Sequence, residues 1–156
     1  MATCVASSVD IALLGCGNVG ASLARLAAGA SDHLTPVRIT GAFVRDPARP
    51  RPLDRGATVT SNARALLDSG PSVVVELLGG VEPARSILLA ALDRRIPVVT
   101  ANKTLLARHG RELREAAAAT STALLYEAAV LAGVPFLGTF ARRPHAAAAT
   151  SLVGIA

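Results

Sequence analysis

Val9-Asp10-Ile11-Ala12-Leu13-Leu14-Gly15-Cys16-Gly17-Asn18-Val19-Gly20 joins an apolar run to a Gly-x-Gly-x-x-Gly turn, and an Ala/Leu-rich stretch follows. Such a turn alone is a weak signal. Placed after a strand and before a helix, it has the order that a phosphate-binding loop needs. Gly15 serves the tight turn, Gly17 lets the backbone approach a pyrophosphate, and Gly20 lets the helix pack closely on the sheet. Asn18, Val19 and Gly20 then begin a helix whose free N–H groups and partial positive charge suit phosphate oxygens. The plainer reading is a turn with no ligand.

Working outward, the chain alternates between short β-rich runs and helical patterns. Strands are predicted over 9–14, 37–44, 57–60, 72–77, 96–101 and 124–130. Helices are predicted over 18–30, 62–69, 82–94 and 103–120, with Pro83 tolerated in a first turn and Gly110 a point of interruption. In the first helix Val19, Leu23 and Leu26 recur on one face, which is therefore the expected buried face. The prolines between Arg45 and Arg55 dictate a loop. Strand–helix repetition predicts an α/β fold: a Rossmann-type, doubly wound, mainly parallel sheet with helices on both faces. Residues 1–141 form this domain. Residues 142–156 read as an Ala-rich connector and a terminal strand near 151–155, the start of a second domain that the sequence does not continue.

Composition supports the layered reading. The 156 residues are 51% hydrophobic and only 3% aromatic, so Ala, Val and Leu must build a closely packed core. The net charge of +5 comes from 15 arginines and one lysine, Lys103. The densest basic group is Arg45, Arg49, Arg51 and Arg55, interleaved with prolines and without aromatic stacking partners, which argues against a nucleic-acid surface. Cys4 and Cys16 are too few for a disulfide framework or a metal site. No apolar run has the length of a membrane span, and the expectation is a soluble, cytoplasmic protein with no membrane partner. His33, His109 and His145 have no acidic or cysteine partner at ligand spacing and read as solvated. Cys16, beside a helix N-terminus, reads as a small filling side chain, with a reactive thiol as the sharper alternative.

Cofactor preference turns on the end of the second strand. An NAD-preferring domain usually carries an acid there for the ribose 2′-hydroxyl. This chain has Val44-Arg45-Asp46. The Arg45 guanidinium could pair with a 2′-phosphate, with Arg49 or Arg51 assisting, and NADP is favoured on that ground. Asp46 turned inward would serve NAD instead.

Three later segments carry a family resemblance: Val74-Val75-Glu76-Leu77-Leu78-Gly79-Gly80, then Val98-Val99-Thr100-Ala101-Asn102-Lys103, then Tyr126-Glu127-Ala128-Ala129-Val130-Leu131-Ala132-Gly133-Val134-Pro135. With Val44-Arg45-Asp46-Pro47, their order and spacing resemble homoserine dehydrogenase over residues 9 to about 140. The resemblance implies that Lys103 lies beside the nicotinamide and substrate, with a cofactor-binding and proton-transfer role. It places Gly79 and Gly80 near the nicotinamide ribose. It implies a monovalent cation held at Glu127, Val130, Ala132 and Val134, although the family tends to small residues and glycines where this chain has Leu131-Ala132. Glu76 belongs to the pattern without a derivable role. The family's substrate domain, with its acidic residues, second lysine and dimer interface, is absent from the sequence.

Three functional readings follow. The first is an NADP-binding oxidoreductase domain of the homoserine dehydrogenase kind, acting with a small-molecule alcohol or aldehyde. The second keeps the fold with changed chemistry in specialised biosynthesis, for which Lys103, Tyr126 and Glu127 are the residues to test. The third is a non-catalytic cofactor or assembly module, in which the unpaired strand at 152–155 adds to a second copy to form a homo-oligomer. Fold alone does not choose among them.

Overall fold

The computed structural model describes residues 8–29 and 36–130. In chain order they form β1 (Val9–Leu14), α1 (Asn18–Ala28), β2 (Val37–Phe43), β3 (Thr58–Thr60), α2 (Ala63–Asp68), β4 (Val73–Glu76), α3 (Ala84–Asp93), β5 (Val98–Thr100), α4 (Lys103–Thr120), β6 (Leu124–Leu125) and α5 (Glu127–Val130). The strands make one sheet in the order β3-β2-β1-β4-β5-β6, and every neighbouring pair is parallel. The order reverses beside β1, between the loops that follow β1 and β4. That is the switch point at which open α/β sheets hold ligands.

β1 lies at the centre because it can be buried on both faces. Ile11 and Leu13 pack with Ala24, Ile39, Ala42 and Val44 on one side. Ala12 and Leu14 join Val74, Leu88, Leu92, Val98, Leu105 and Leu113 on the other. The period-two alternation of a strand thus feeds two helical layers from one apolar run. Full burial of a leucine such as Leu13 contributes about 1.5–3 kcal/mol. Helix starts are set locally: the Asn62 side chain accepts from the Ala65 N–H at 3.2 Å, and that of Asn102 from the Leu105 N–H at 3.0 Å.

Three expectations change. In α1 the inward face is Gly20 and Ala24, with Leu23 beside them, whereas Val19 is 64% and Leu26 72% exposed. The helix lies so close to the sheet that small residues fill the contact and larger ones are turned out. Residues 127–130 form a helical turn instead of extending the sixth strand, which is only Leu124–Leu125. Ala128 and Ala129 favour helix, and the Ala129 N–H donates to the Tyr126 carbonyl at 3.0 Å. Gly110 does not interrupt α4; it sits buried inside a continuous 18-residue helix. The 142–156 connector, the 151–155 strand, Ala132, Val134, Cys4, His33 and His145 lie outside the described residues. No described helix is long and apolar enough to cross a membrane.

An ion-pair cluster clamps α3 to α4. Arg85 Nε donates to Glu112 Oε2 at 2.8 Å, its Nη2 donates to Glu112 Oε1, and His109 Nδ1 stands 3.2 Å from Glu112 Oε2. His109 thus has an acidic partner that its sequence context did not reveal. Hydrogen bonding from Arg85 holds the Glu112 carboxyl below its ordinary range, against a smaller opposing effect of burial. A depressed carboxylate contributes stability that is complete above its ordinary range and is lost as pH falls through the lowered value. Glu112→Gln is therefore expected to melt below the unsubstituted chain at pH 7, with the gap closing as pH falls below the carboxylate range. Melting temperatures between pH 7 and pH 3 check this, and a gap that persists unchanged into acid contradicts it.

Candidate functional site

The loop after β1 is shaped by two contacts that only glycine permits. Gly15 has φ +93°, and a Cβ there would lie 2.9 Å from the Leu77 carbonyl oxygen. A Cβ on Gly20 would lie 2.4 Å from the Gly15 carbonyl oxygen, so the start of α1 rests directly on the loop. Gly17 differs: its φ is −80°, open to any residue, and a Cβ there meets nothing within 4 Å. Nothing in the described protein requires glycine at this position. Gly17 is also the N-cap of α1, which has no side-chain cap and no acid in its first turn. The first N–H groups of α1 accordingly have no side-chain acceptor, which is the condition for binding an anion.

A cleft of about 770 Å³ opens beside this loop, lined by Gly15, Cys16 and Gly17, by Phe43 to Asp46 with Arg49 and Arg51, and by Leu77, Leu78, Gly79, Glu82 and Pro83. It is large enough for a cofactor-sized ligand. One wall is basic. Arg45 and Arg49 are exposed, and Arg51 donates from Nη1 to the Arg49 carbonyl at 2.6 Å. The Nε of Arg51 is buried without a hydrogen-bond partner among the described residues. Asp46 Oδ1 accepts from the Ala48 N–H at 3.0 Å, so its carboxylate is engaged in the local turn. Burial pushes the Cys16 thiol up, and the charges of Arg51 and Arg25 only partly offset this. Cys16 packs against the β2-side core as the filling side chain the sequence predicts, and the upward shift runs against the alternative of an activated thiol.

The opposite wall is organised by a residue whose role the sequence left open. Glu76, at the end of β4, is fully buried. Its Oε1 accepts from the Leu78 N–H at 2.8 Å, the Gly79 N–H at 3.3 Å and Asn102 Nδ2 at 3.3 Å. Its Oε2 accepts from Thr100 Oγ1 at 2.5 Å. Asn102 Nδ2 also donates to the Gly80 carbonyl at 2.6 Å, and the Asn102 N–H donates to Thr100 Oγ1 at 3.1 Å. The loop after β4, where Gly79 and Gly80 have φ +73° and +72°, is thereby tied to the junction of β5 and α4. Thr100 and Asn102 were not singled out by sequence reasoning either. The available signal was polar residues at the ends of two apolar strands, since a buried polar group must find a partner.

All the sequence-derived candidates within the described residues follow the carboxyl ends of parallel strands, or begin the helix after one, but they do not form one cluster. Gly15, Gly17, Arg45 and Gly79 line the cleft, with Asn18, Val19 and Gly20 in the adjoining first turn of α1. Lys103 is exposed at the first position of α4, next to Asn102, and is not part of the cleft lining. Tyr126 and Glu127 are half-buried beyond β6, three strand spacings or about 14 Å across the sheet from β1. Of the cation candidates, Glu127 and Val130 are the first and last residues of α5. Among the described residues no group of three or more His, Cys, Asp or Glu side chains could hold a metal ion.

The family model described as homoserine dehydrogenase, NAD binding domain, matches residues 15–127. The chain is 39% identical over 155 residues to the homoserine dehydrogenase of Corynebacterium glutamicum, covering 96% of this chain and 35% of that protein. It is 32% identical over 155 residues to that of Bacillus subtilis, with 95% and 36% covered. The chain thus spans about a third of the length of these curated relatives. A crystal structure of the Thiobacillus denitrificans homoserine dehydrogenase superposes with a TM-score of 0.79 at 32% identity, covering 87% of this chain and 33% of that one. Over the β1 loop, the basic and glycine walls and the β5–α4 junction, the chain belongs to the homoserine dehydrogenase family, in its NAD-binding domain.

Proposed function

We propose that the chain binds NADP(H) in the cleft and supplies the cofactor half of a hydride transfer between NADP(H) and a small alcohol or aldehyde, as in homoserine dehydrogenase. The observation that carries this reading is Gly17, whose missing side chain serves no contact within the described protein and stands at an uncapped helix N-terminus. The N–H groups of α1 would hold the pyrophosphate by charge-assisted hydrogen bonds. Arg45, exposed in the cleft while Asp46 is engaged by Ala48, would pair with a 2′-phosphate, and Arg49 and Arg51 add positive charge beside it. Gly79 and Gly80 would border the nicotinamide ribose. A bound nicotinamide supplies the hydride donor or acceptor. Lys103 would take up the hydroxyl proton of the alcohol at Nζ, or return it to the aldehyde oxygen, in step with the hydride. Tyr126 and Glu127 are assigned the far side of the substrate space. A monovalent cation on Glu127 and the Val130 carbonyl belongs to the same proposal, with Ala132 and Val134 completing its set. The remaining groups that orient homoserine would come from outside these described residues.

Calorimetric titration with NADPH and with NADH tests the assignment. NADPH should bind more tightly, and Arg45→Ala should weaken it by about tenfold or more, the worth of a charge-assisted hydrogen bond, while leaving NADH within about twofold. Equal affinity for the two cofactors, or an unaffected variant, would sink the 2′-phosphate assignment.

A further inference from the structure

The described cofactor cleft has two ends of opposite character, and one buried residue sets the difference. At the β1 end, backbone N–H groups and Arg45, Arg49 and Arg51 present positive charge. At the β4 end, the N–H groups of Leu78 and Gly79 are turned inward to the carboxylate oxygens of Glu76 and are not offered to a ligand. Four groups converge on that carboxyl: the Leu78 and Gly79 N–H groups, Thr100 Oγ1 and Asn102 Nδ2. An anionic group therefore belongs at the β1 end, and an uncharged or cationic ring at the β4 end.

We propose that Glu76 is a positioning residue for the nicotinamide half of the cofactor. Through Thr100 and Asn102 it fixes the 78–80 loop against the segment that starts α4, so that the glycine wall and Lys103 keep one spatial relation. The inference rests on the cofactor reading above. Its geometry is specific: the Asn102 amide bridges Glu76 Oε1 and the Gly80 carbonyl, at 3.3 and 2.6 Å, while its own oxygen caps α4. One side chain thus joins the β4 loop, the buried carboxylate and the helix that carries Lys103. Cutting this bridge frees residues 78–80, while Leu77, which packs against Gly15, stays held by the bond from its N–H to the Leu14 carbonyl at 2.8 Å.

The test compares NADPH with adenosine 2′,5′-bisphosphate, which has the adenine half alone and makes no use of the β4 wall. Glu76→Ala and Asn102→Ser are each expected to weaken NADPH about tenfold and to leave the bisphosphate within about twofold. Serine keeps a capping oxygen for α4 but is too short to bridge Glu76 and Gly80, so it carries the test if Glu76→Ala does not fold. Glu76→Gln, whose amide oxygen can still accept from Leu78 and Gly79, should retain NADPH within about threefold. Unchanged NADPH affinity in folded Asn102→Ser, or equal weakening of both ligands, overturns the proposal; the second result marks general structural damage. A parent chain that binds neither ligand removes the cofactor reading itself, which distinguishes that failure from this one.

Discussion

Replacing Gly17 by valine is expected to weaken NADPH binding about a hundredfold, or ~2.7 kcal/mol, while moving the melting temperature by no more than about 4 °C. The two effects separate because the side chain would meet no protein atom within 4 Å, and the backbone at φ −80° suits any residue. The stability change is limited to the weaker N-cap, at most about 1 kcal/mol. The binding change is large because the added methyl groups stand where a phosphate must come within hydrogen-bonding distance of the α1 N–H groups. Two charge-assisted hydrogen bonds at about 1.5–3 kcal/mol each are enough to account for it. Thermal unfolding and NADPH titration on the same sample check both halves. A Gly17→Val chain that binds like the parent would show that the loop does not cradle phosphate.

Gly20→Val is expected to fail in the opposite way, by unfolding. Its Cβ would sit 2.4 Å from the Gly15 carbonyl oxygen, 3.2 Å from the Gly15 carbonyl carbon and 3.4 Å from Leu13 Cδ2. Two of these are backbone atoms of a loop that is itself pinned, because Gly15 donates from its N–H to the Phe43 carbonyl at 3.0 Å. Relief requires α1 to move away from β1 and to open the packing of Ala24 against Ile11 and Leu13. Overpacking of this kind costs about 3 kcal/mol or slightly more, a fall of roughly 6–12 °C in melting temperature for a chain of this size. Cofactor binding should be lost with it, since the N-terminus of α1 is displaced. A Gly20→Val chain with the parent's melting temperature would contradict the close packing of α1 on the loop. Together the two valines separate a glycine kept for a ligand from a glycine kept for the fold.

The parts of this fold that depend on short-range patterns were legible in the sequence. β1 can be read from 9–14 because five apolar residues, interrupted only by Asp10, meet a glycine turn, and α4 from the helical pattern over 103–120. What was not legible depends on distance across the structure. The buried face of α1 does not follow from hydrophobicity, which favours Val19 and Leu26, because the space against the sheet admits Gly20 and Ala24. The sixth strand is shorter than its sequence suggests, because edge pairing does not follow from a β-branched residue such as Val130 and the alanines before it make a helical turn. Of the residues that line the cleft, Gly15, Gly17, Arg45 and Gly79 could be placed from the sequence, because each follows the end of a readable strand. Glu76 could not, because its partners Thr100 and Asn102 are 24 and 26 residues away and meet it only when β4 and β5 pair. The hydrogen bond from the Ala48 N–H to Asp46 Oδ1 likewise appears only once the turn is formed.

On the reading proposed above, this chain holds a working dinucleotide site at the carboxyl ends of β1, β2 and β4. Its most direct measurement is titration of the 156-residue chain with NADPH, followed by displacement with adenosine 2′,5′-bisphosphate. Saturable binding of one NADPH per chain, competed by the bisphosphate, is the expected result. No binding of NADPH, or binding that the bisphosphate does not displace, would contradict it.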